Sequence, residues 1–362
     1  MPASGGRQCV RWSCEGERCF SGVTRSTTHK PDPYWEETLG KQRDGVPGFR
    51  TGFRDPAAAA ALRLLLVGNS FVHRNEGAET VTAGLLGERL GAHVWAKRYA
   101  PGGHTWAKHL ADALDAGNPL HALLGAGGTQ QYDYVIFQEQ SQAPALGATA
   151  VAESAAALGG LIRLAKARGA QSVLLQTWAY AAGDPDNRAL FPDYPTMQRQ
   201  LDAGYVALAA SARERLNTPA FLAPVGRAWH AVFDGSHAQD AAAELPRGKA
   251  TFRALYAEDG IHPSGAGTYL EACVIASAIT GCKTEGLRYA PAALPPAWPP
   301  YLQRVADAAV FERSPPEYPP YPWSSSCPLR RRRCAEASMD SMASSGSKQR
   351  ITAAAPSLQD TS

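Results

Sequence analysis

Five short segments of the chain carry the hydrophobic pattern of buried strands. LRLLLVG (62–68) is apolar apart from Arg63 and closes on a glycine, as a strand covered on both faces does. HVWAKRYA (93–100), YDYVIFQEQ (132–140), AQSVLLQTW (170–178) and PAFLAPVG (219–226) follow. Between them the apolar period lengthens to that of helices: roughly 76–90, from GGHTW to about 116, 150–169 with its glycine stop, 195–216, and 264–281. Strand and helix alternate throughout. That pattern predicts an α/β domain with a doubly wound, five-stranded parallel sheet between two helical layers, a three-layer α/β/α sandwich. In such a sheet ligands bind beyond the carboxyl ends of the strands, so candidate residues are sought just after each strand.

The ends of the chain read differently. Residues 1–60 have no sustained period and are expected to be a largely disordered N-terminal extension, ahead of a domain over 61–285. Residues 286–323 are proline-rich, with PAALPPAWPPY and SPPEYPPYPW around a short helix expected over 301–312, and are expected to pack on or flank the core. Residues 324–362, rich in Ser, Ala and Arg, read as a disordered tail. The net charge is only +3, and the run Arg330–Arg333 lies in that tail, so the core offers no nucleic-acid surface. None of the seven cysteines falls between 20 and 272, which argues against a disulfide scaffold. The first twenty residues lack the apolar run of a signal peptide, and no stretch is expected to reach a membrane-spanning length. The default expectation is a soluble intracellular protein, with its oligomeric state open.

The chemistry gathers at the predicted strand ends. VGNSF puts Ser70 at a strand-to-helix turn, where its own N–H is free to donate. It is neither a P-loop nor a G-x-S-x-G elbow. APGGHTW places Gly102 and Gly103 after the second strand, where a backbone N–H offers an oxyanion donor. QEQSQ supplies Gln138, Gln140 and Gln142, uncharged amide donors suited to the same task, while Glu139 reads as a solvated acid. Near the end of the domain, DGIHPS spaces Asp259 and His262 so that the carboxylate can hold one ring nitrogen and leave the other for a serine. His73, His109 and His230 read as ordinary histidines. His104 reads the same way, although its place beside Gly103 makes it a substrate-contact candidate with Asn69, Trp106 and Trp178. These tryptophans, with Trp229, are candidates for stacking on a sugar face, with core packing the expected role of at least one. There is no HExxH and no tight histidine cluster, so no metal or other cofactor is expected.

The order Ser…Asp-x-x-His-Pro with these spacings resembles the SGNH or GDSL-like hydrolase superfamily over about 62–281. The blocks GNSF, QEQS and DGIHPS look like a bacterial-type subgroup of it. The resemblance implies an SGNH-hydrolase, flavodoxin-like fold and an ester hydrolase with Ser70 as nucleophile, His262 as base and Asp259 as its partner. It also implies an oxyanion hole built from the N–H groups of Ser70 and Gly103 and a third-block side chain. Gly68-Asn69-Ser70 departs from the family's Gly-Asp-Ser. The family's third-block asparagine is missing; alignment puts Gln142 in its place, with Gln138 and Gln140 as rivals. The expected substrate is a small-molecule or carbohydrate ester, with a short, acetyl-like acyl group. A non-catalytic carbohydrate-binding or interaction protein and an acyltransferase with the same triad remain the alternatives.

Overall fold

The computed structural model describes residues 12–15, 18–21, 62–216 and 220–312. The expectations for the N-terminal extension outside two short strands, and for everything beyond 312, lie outside the described residues. Trp12–Glu15 (β1) and Arg18–Ser21 (β2) pair antiparallel, an element the sequence pattern does not suggest.

The domain is built on five parallel strands: Leu62–Val67 (β3), Val94–Tyr99 (β4), Tyr134–Gln138 (β5), Gln171–Leu175 (β6) and Ala220–Ala223 (β7). Their order is β4-β3-β5-β6-β7. Val67 stands in register with Tyr99 on one side and Phe137 on the other. The chain therefore leaves β3 in one direction and returns across it to β5. That reversal opens a crevice at the carboxyl ends of β3 and β5.

The alternation within β3 explains the two helical layers. Leu64 and Leu66 face one core cluster, and Leu65 and Val67 the other; all four are 1% exposed or less. The helices are Ser70–His73 (α1), Ala78–Leu90 (α2), Trp106–Leu114 (α3), Pro119–Leu124 (α4), Ala148–Ala167 (α5), Tyr194–Leu216 (α6), Val225–Asp234 (α7), Lys249–Arg253 (α8), Gly265–Thr280 (α9) and Trp298–Phe311 (α10). Helices α2, α7, α9 and α10 cover the first face, and α3, α4 and α5 the second; α6 contributes its first turns to one cluster and its later turns to the other.

One element differs from expectation. The strand expected over 219–226 stops at Ala223 and Val225 opens α7, because Pro224 ends the ladder by lacking an N–H and sits at the helix N-cap. The described part of the proline-rich segment packs on the core. Helix α10 begins at Trp298 with prolines in its first turn, and Trp298, Tyr301, Leu302 and Val305 enter the first core cluster beside α9. That cover is why α9 is buried from Ala266 to Thr280 and hydrophobic all round. Asp307 pins it by accepting from Ser277 Oγ (2.7 Å), Thr284 N (2.8 Å) and Glu285 N (2.9 Å). The expectation that no stretch reaches membrane-spanning length also needs correction. The alanine-rich α5 is long and apolar enough by length and composition, yet it packs against α3 and α6 as a layer of the sandwich.

Candidate functional site

Ser70 stands at the start of α1, straight after β3, and is 5% exposed. The turn that presents it is held by Asn69. Its Oδ1 accepts from Phe71 N (3.2 Å) as the helix cap, and its Nδ2 donates to the His104 carbonyl (3.2 Å) in the loop after β4. An aspartate at 69 offers acceptors only and has no hydrogen for that carbonyl. The Asn-for-Asp departure thus has a physical reason, and Asn69, expected among the substrate contacts, instead cross-links two loops.

Some 190 residues on, the loop before α9 brings Asp259 and His262 back over Ser70. His262 Nε2 lies 3.0 Å from Ser70 Oγ, and His262 Nδ1 lies 2.5 Å from Asp259 Oδ2. The other carboxylate oxygen accepts from the backbone N–H groups of Ile261 (2.9 Å) and His262 (3.0 Å), so the acid shapes the turn that carries its own partner. Gly260 sits within that turn at φ 71°, a left-handed value that only glycine adopts without cost. Its carbonyl accepts from Ala181 N (2.8 Å), which ties the loop to the segment after β6. Burial raises the Asp259 carboxyl, but hydrogen bonds from His262 and the two backbone amides outweigh it and hold the group below its ordinary range. A serine hydroxyl bonded to an imidazole whose far nitrogen is held by a carboxylate is able to pass its proton to that ring. Arg74, exposed after α1, brings Nη2 to 3.5 Å from the same Nδ1, a cation that no motif along the chain points to.

All three tryptophans take the core-packing role and none stacks on a ligand face. Trp178 and Trp106 are fully buried and cannot meet a sugar face. Trp229, Trp178 and Phe71 form a stacked column with centroid separations of 4.1 and 4.6 Å, and the Phe71 ring meets the His262 ring edge-on at 5.8 Å. Trp178 Nε1 donates to the Ile261 carbonyl (3.0 Å). The column therefore props the histidine loop and the serine turn from below. Trp106 packs edge-on against Tyr205 in the opposite layer. His104 is half-buried, with Nε2 3.1 Å from Asp112 Oδ2 on α3. Burial moves its pKa below the usual value, against the pull of Asp112. His73, by contrast, bonds the Ala100 carbonyl (3.0 Å).

Around Ser70 stand the proposed donors. Gly103 is buried at φ 65°. No described acceptor is bonded to its N–H or to that of Ser70. At the end of β5, Gln138 through Gln142 are all 2% exposed or less. Gln138 Oε1 accepts from Asn69 N (2.8 Å) and its amide donates to the neighbouring Glu139 carbonyl. Gln140 Oε1 accepts from Gln142 N (2.8 Å) and Ala143 N (3.1 Å), while its Nε2 donates one hydrogen to Ser141 Oγ (3.0 Å). Gln142, the position alignment favours, has both amide hydrogens committed, to Tyr180 Oη (3.1 Å) and Asp184 Oδ2 (2.9 Å), and its Oε1 accepts from Asn187. Glu139 is not solvated. It is fully buried, and the physical reason for that correction is its Oε1, which accepts two backbone hydrogens inside the domain.

No model of a protein family matches the chain, and no curated protein matches it. Among solved structures, a protein of Slackia heliotrinireducens assigned to the SGNH hydrolases is 32% identical, with a TM-score of 0.44; the match covers 60% of this chain and 98% of that one. A DUF4886 family protein from Bacteroides uniformis is 18% identical with a TM-score of 0.53, covering 72% of this chain and 98% of that one, and speaks for the fold alone.

Proposed function

The chain belongs to the SGNH hydrolases, and we propose that it hydrolyses carboxylic esters through an acyl-serine intermediate. The observation that supports this reading most is the 3.0 Å approach of His262 Nε2 to Ser70 Oγ, with Asp259 2.5 Å from the other ring nitrogen. Ser70 Oγ attacks the ester carbonyl carbon while its proton passes to His262 Nε2. As the tetrahedral intermediate collapses, the bond to the alcohol oxygen breaks and Nε2 returns the proton to that oxygen. Water then attacks the acyl carbon and gives a proton to Nε2. Ser70 Oγ leaves with it, releasing the carboxylic acid. Asp259 fixes the tautomer and stabilises the imidazolium.

The developing oxyanion is held by the N–H groups of Ser70 and Gly103 and by a third donor. Gln140 suits that place better than Gln142, since its carbonyl end is fixed by two backbone amides and one of its amide hydrogens has no described acceptor. An amide donor at this strand end would take the part that the asparagine plays in the family. The substrate is read as a small ester with a short acyl group, in keeping with Ser70 being only 5% exposed. The sugar-stacking argument does not survive the burial of Trp106 and Trp178.

Labelling with a fluorophosphonate, read by peptide mass spectrometry, tests the nucleophile. An adduct on Ser70 that is lost in His262→Ala is the expected result. Absence of an adduct on folded protein sinks the assignment.

A further inference from the structure

Glu139 is fully buried between the two loops that carry the proposed oxyanion donors, and the ester-hydrolase mechanism gives it no step. Its Oε1 accepts from Trp106 N (2.8 Å) and from Gln140 N (2.7 Å). Trp106 opens α3, three residues after Gly103. Gln140 is the amide-bearing residue after β5. A single carboxyl oxygen therefore joins the loop after β4 to the loop after β5. Asn69 makes the matching link on the other side, from the serine turn to the His104 carbonyl, and Gln138 ties Asn69 N to β5. The three strand-end loops around Ser70 are thus cross-braced by three side chains, each reaching a backbone group of a neighbouring loop.

We infer that Glu139 is a positioning residue for the oxyanion hole, setting the separation of the Gly103 N–H and the Gln140 amide. The inference rests on the ester-hydrolase reading of the same site. A buried carboxyl is an expensive way to fill space. An apolar side chain of similar size would leave the Trp106 and Gln140 amides without an acceptor. The groups facing it are Ser154 on α5, whose hydroxyl interacts with the carboxyl, and the Tyr205 ring on α6. Burial pushes Glu139 up to about 7, against the hydrogen bonds from Gln140, Ser154 and Trp106. Either protonation state leaves Oε1 able to accept, so the link does not depend on charge.

Two variants separate this role from simple packing. Glu139→Gln keeps an acceptor in place and offers its amide to Ser154; Glu139→Ala removes the acceptor. With p-nitrophenyl acetate as probe, and rates counted per fluorophosphonate-reactive site, Glu139→Ala is expected to lower kcat by about 10- to 10²-fold with KM nearly unchanged. Glu139→Gln is expected to stay within about threefold of the native rate. Equal impairment of both variants, or an unchanged kcat per reactive site in Glu139→Ala, overturns the inference. Amide hydrogen exchange provides a readout independent of turnover. Faster exchange in Glu139→Ala in peptides spanning 103–108 and 138–143, with 259–263 unchanged, supports the bridge; unaltered exchange in the first two rules it out. If the native chain is neither labelled nor active on any ester, the functional reading fails, and the exchange experiment still decides the bridge.

Discussion

The loop that carries Asp259 and His262 and the strand end that carries Gln138–Gln142 both serve Ser70, but they are held in opposite ways. The Asp259 side chain is 41% exposed and organises its turn through contacts two and three residues away. The five residues of the strand end are 2% exposed or less, and Gln138, Glu139 and Gln142 are fixed by bonds to Asn69, Trp106, Tyr180 and Asp184, which lie 33 to 69 residues away in sequence. Local turn chemistry declares itself in a short motif. A buried polar network does not, because each member's role is decided by which distant group takes its hydrogens.

Removing the nucleophile gives the largest effect on either side of this contrast. Ser70→Ala is expected to lower ester turnover by about 10⁴-fold or more while the thermal midpoint stays near the native value. A protein that keeps its rate would detach both regions from catalysis.

The strand end is sharpened by a pair of variants. Gln140→Ala is expected to reduce kcat by about 10²- to 10³-fold. Gln142→Ala is expected instead to cost about 1–3 kcal/mol of stability, because it leaves Tyr180 and Asp184 short of a partner in a buried site. Denaturant melts and kcat measured side by side distinguish them. A reversed pattern would return the third donor to Gln142 and restore the position that alignment favours.

The two regions also differ in how they respond to pH. Asp259 is held below its ordinary value, so its contribution to stability is present above the unfolded carboxylate range and is lost as pH falls through the depressed value. Glu139 has the opposite sign. The unfolded chain releases its proton near 4.5 and the folded chain near 7, so stability falls as pH rises across that window and levels above it. Linkage puts the drop at about 3 kcal/mol. Denaturant unfolding of Glu139→Gln between pH 4.5 and 7.5 is expected to show a shallower decline by about that amount. A remaining slope of the same sign is expected from Glu271, whose burial raises it well above the usual range.

The alternating strands and helices, the serine after the first sheet strand and the Asp-x-x-His turn are legible in the chain alone. These rest on periodicity and on contacts a few residues apart, and both are written along the chain. The short antiparallel pair near the N-terminus and helix α7 escaped, the latter because an apolar run closed by proline reads equally as a strand end. The rest depends on how distant segments pack. That packing buried Glu139, committed Gln142 to Tyr180 and Asp184, turned Asn69 into a brace and stacked Trp178 under the histidine loop instead of in a binding cleft. The physical reason is common to all four. A polar or aromatic side chain at a strand end has the same sequence signature whether it faces solvent, substrate or another loop, and only the packing of distant segments around it selects among them.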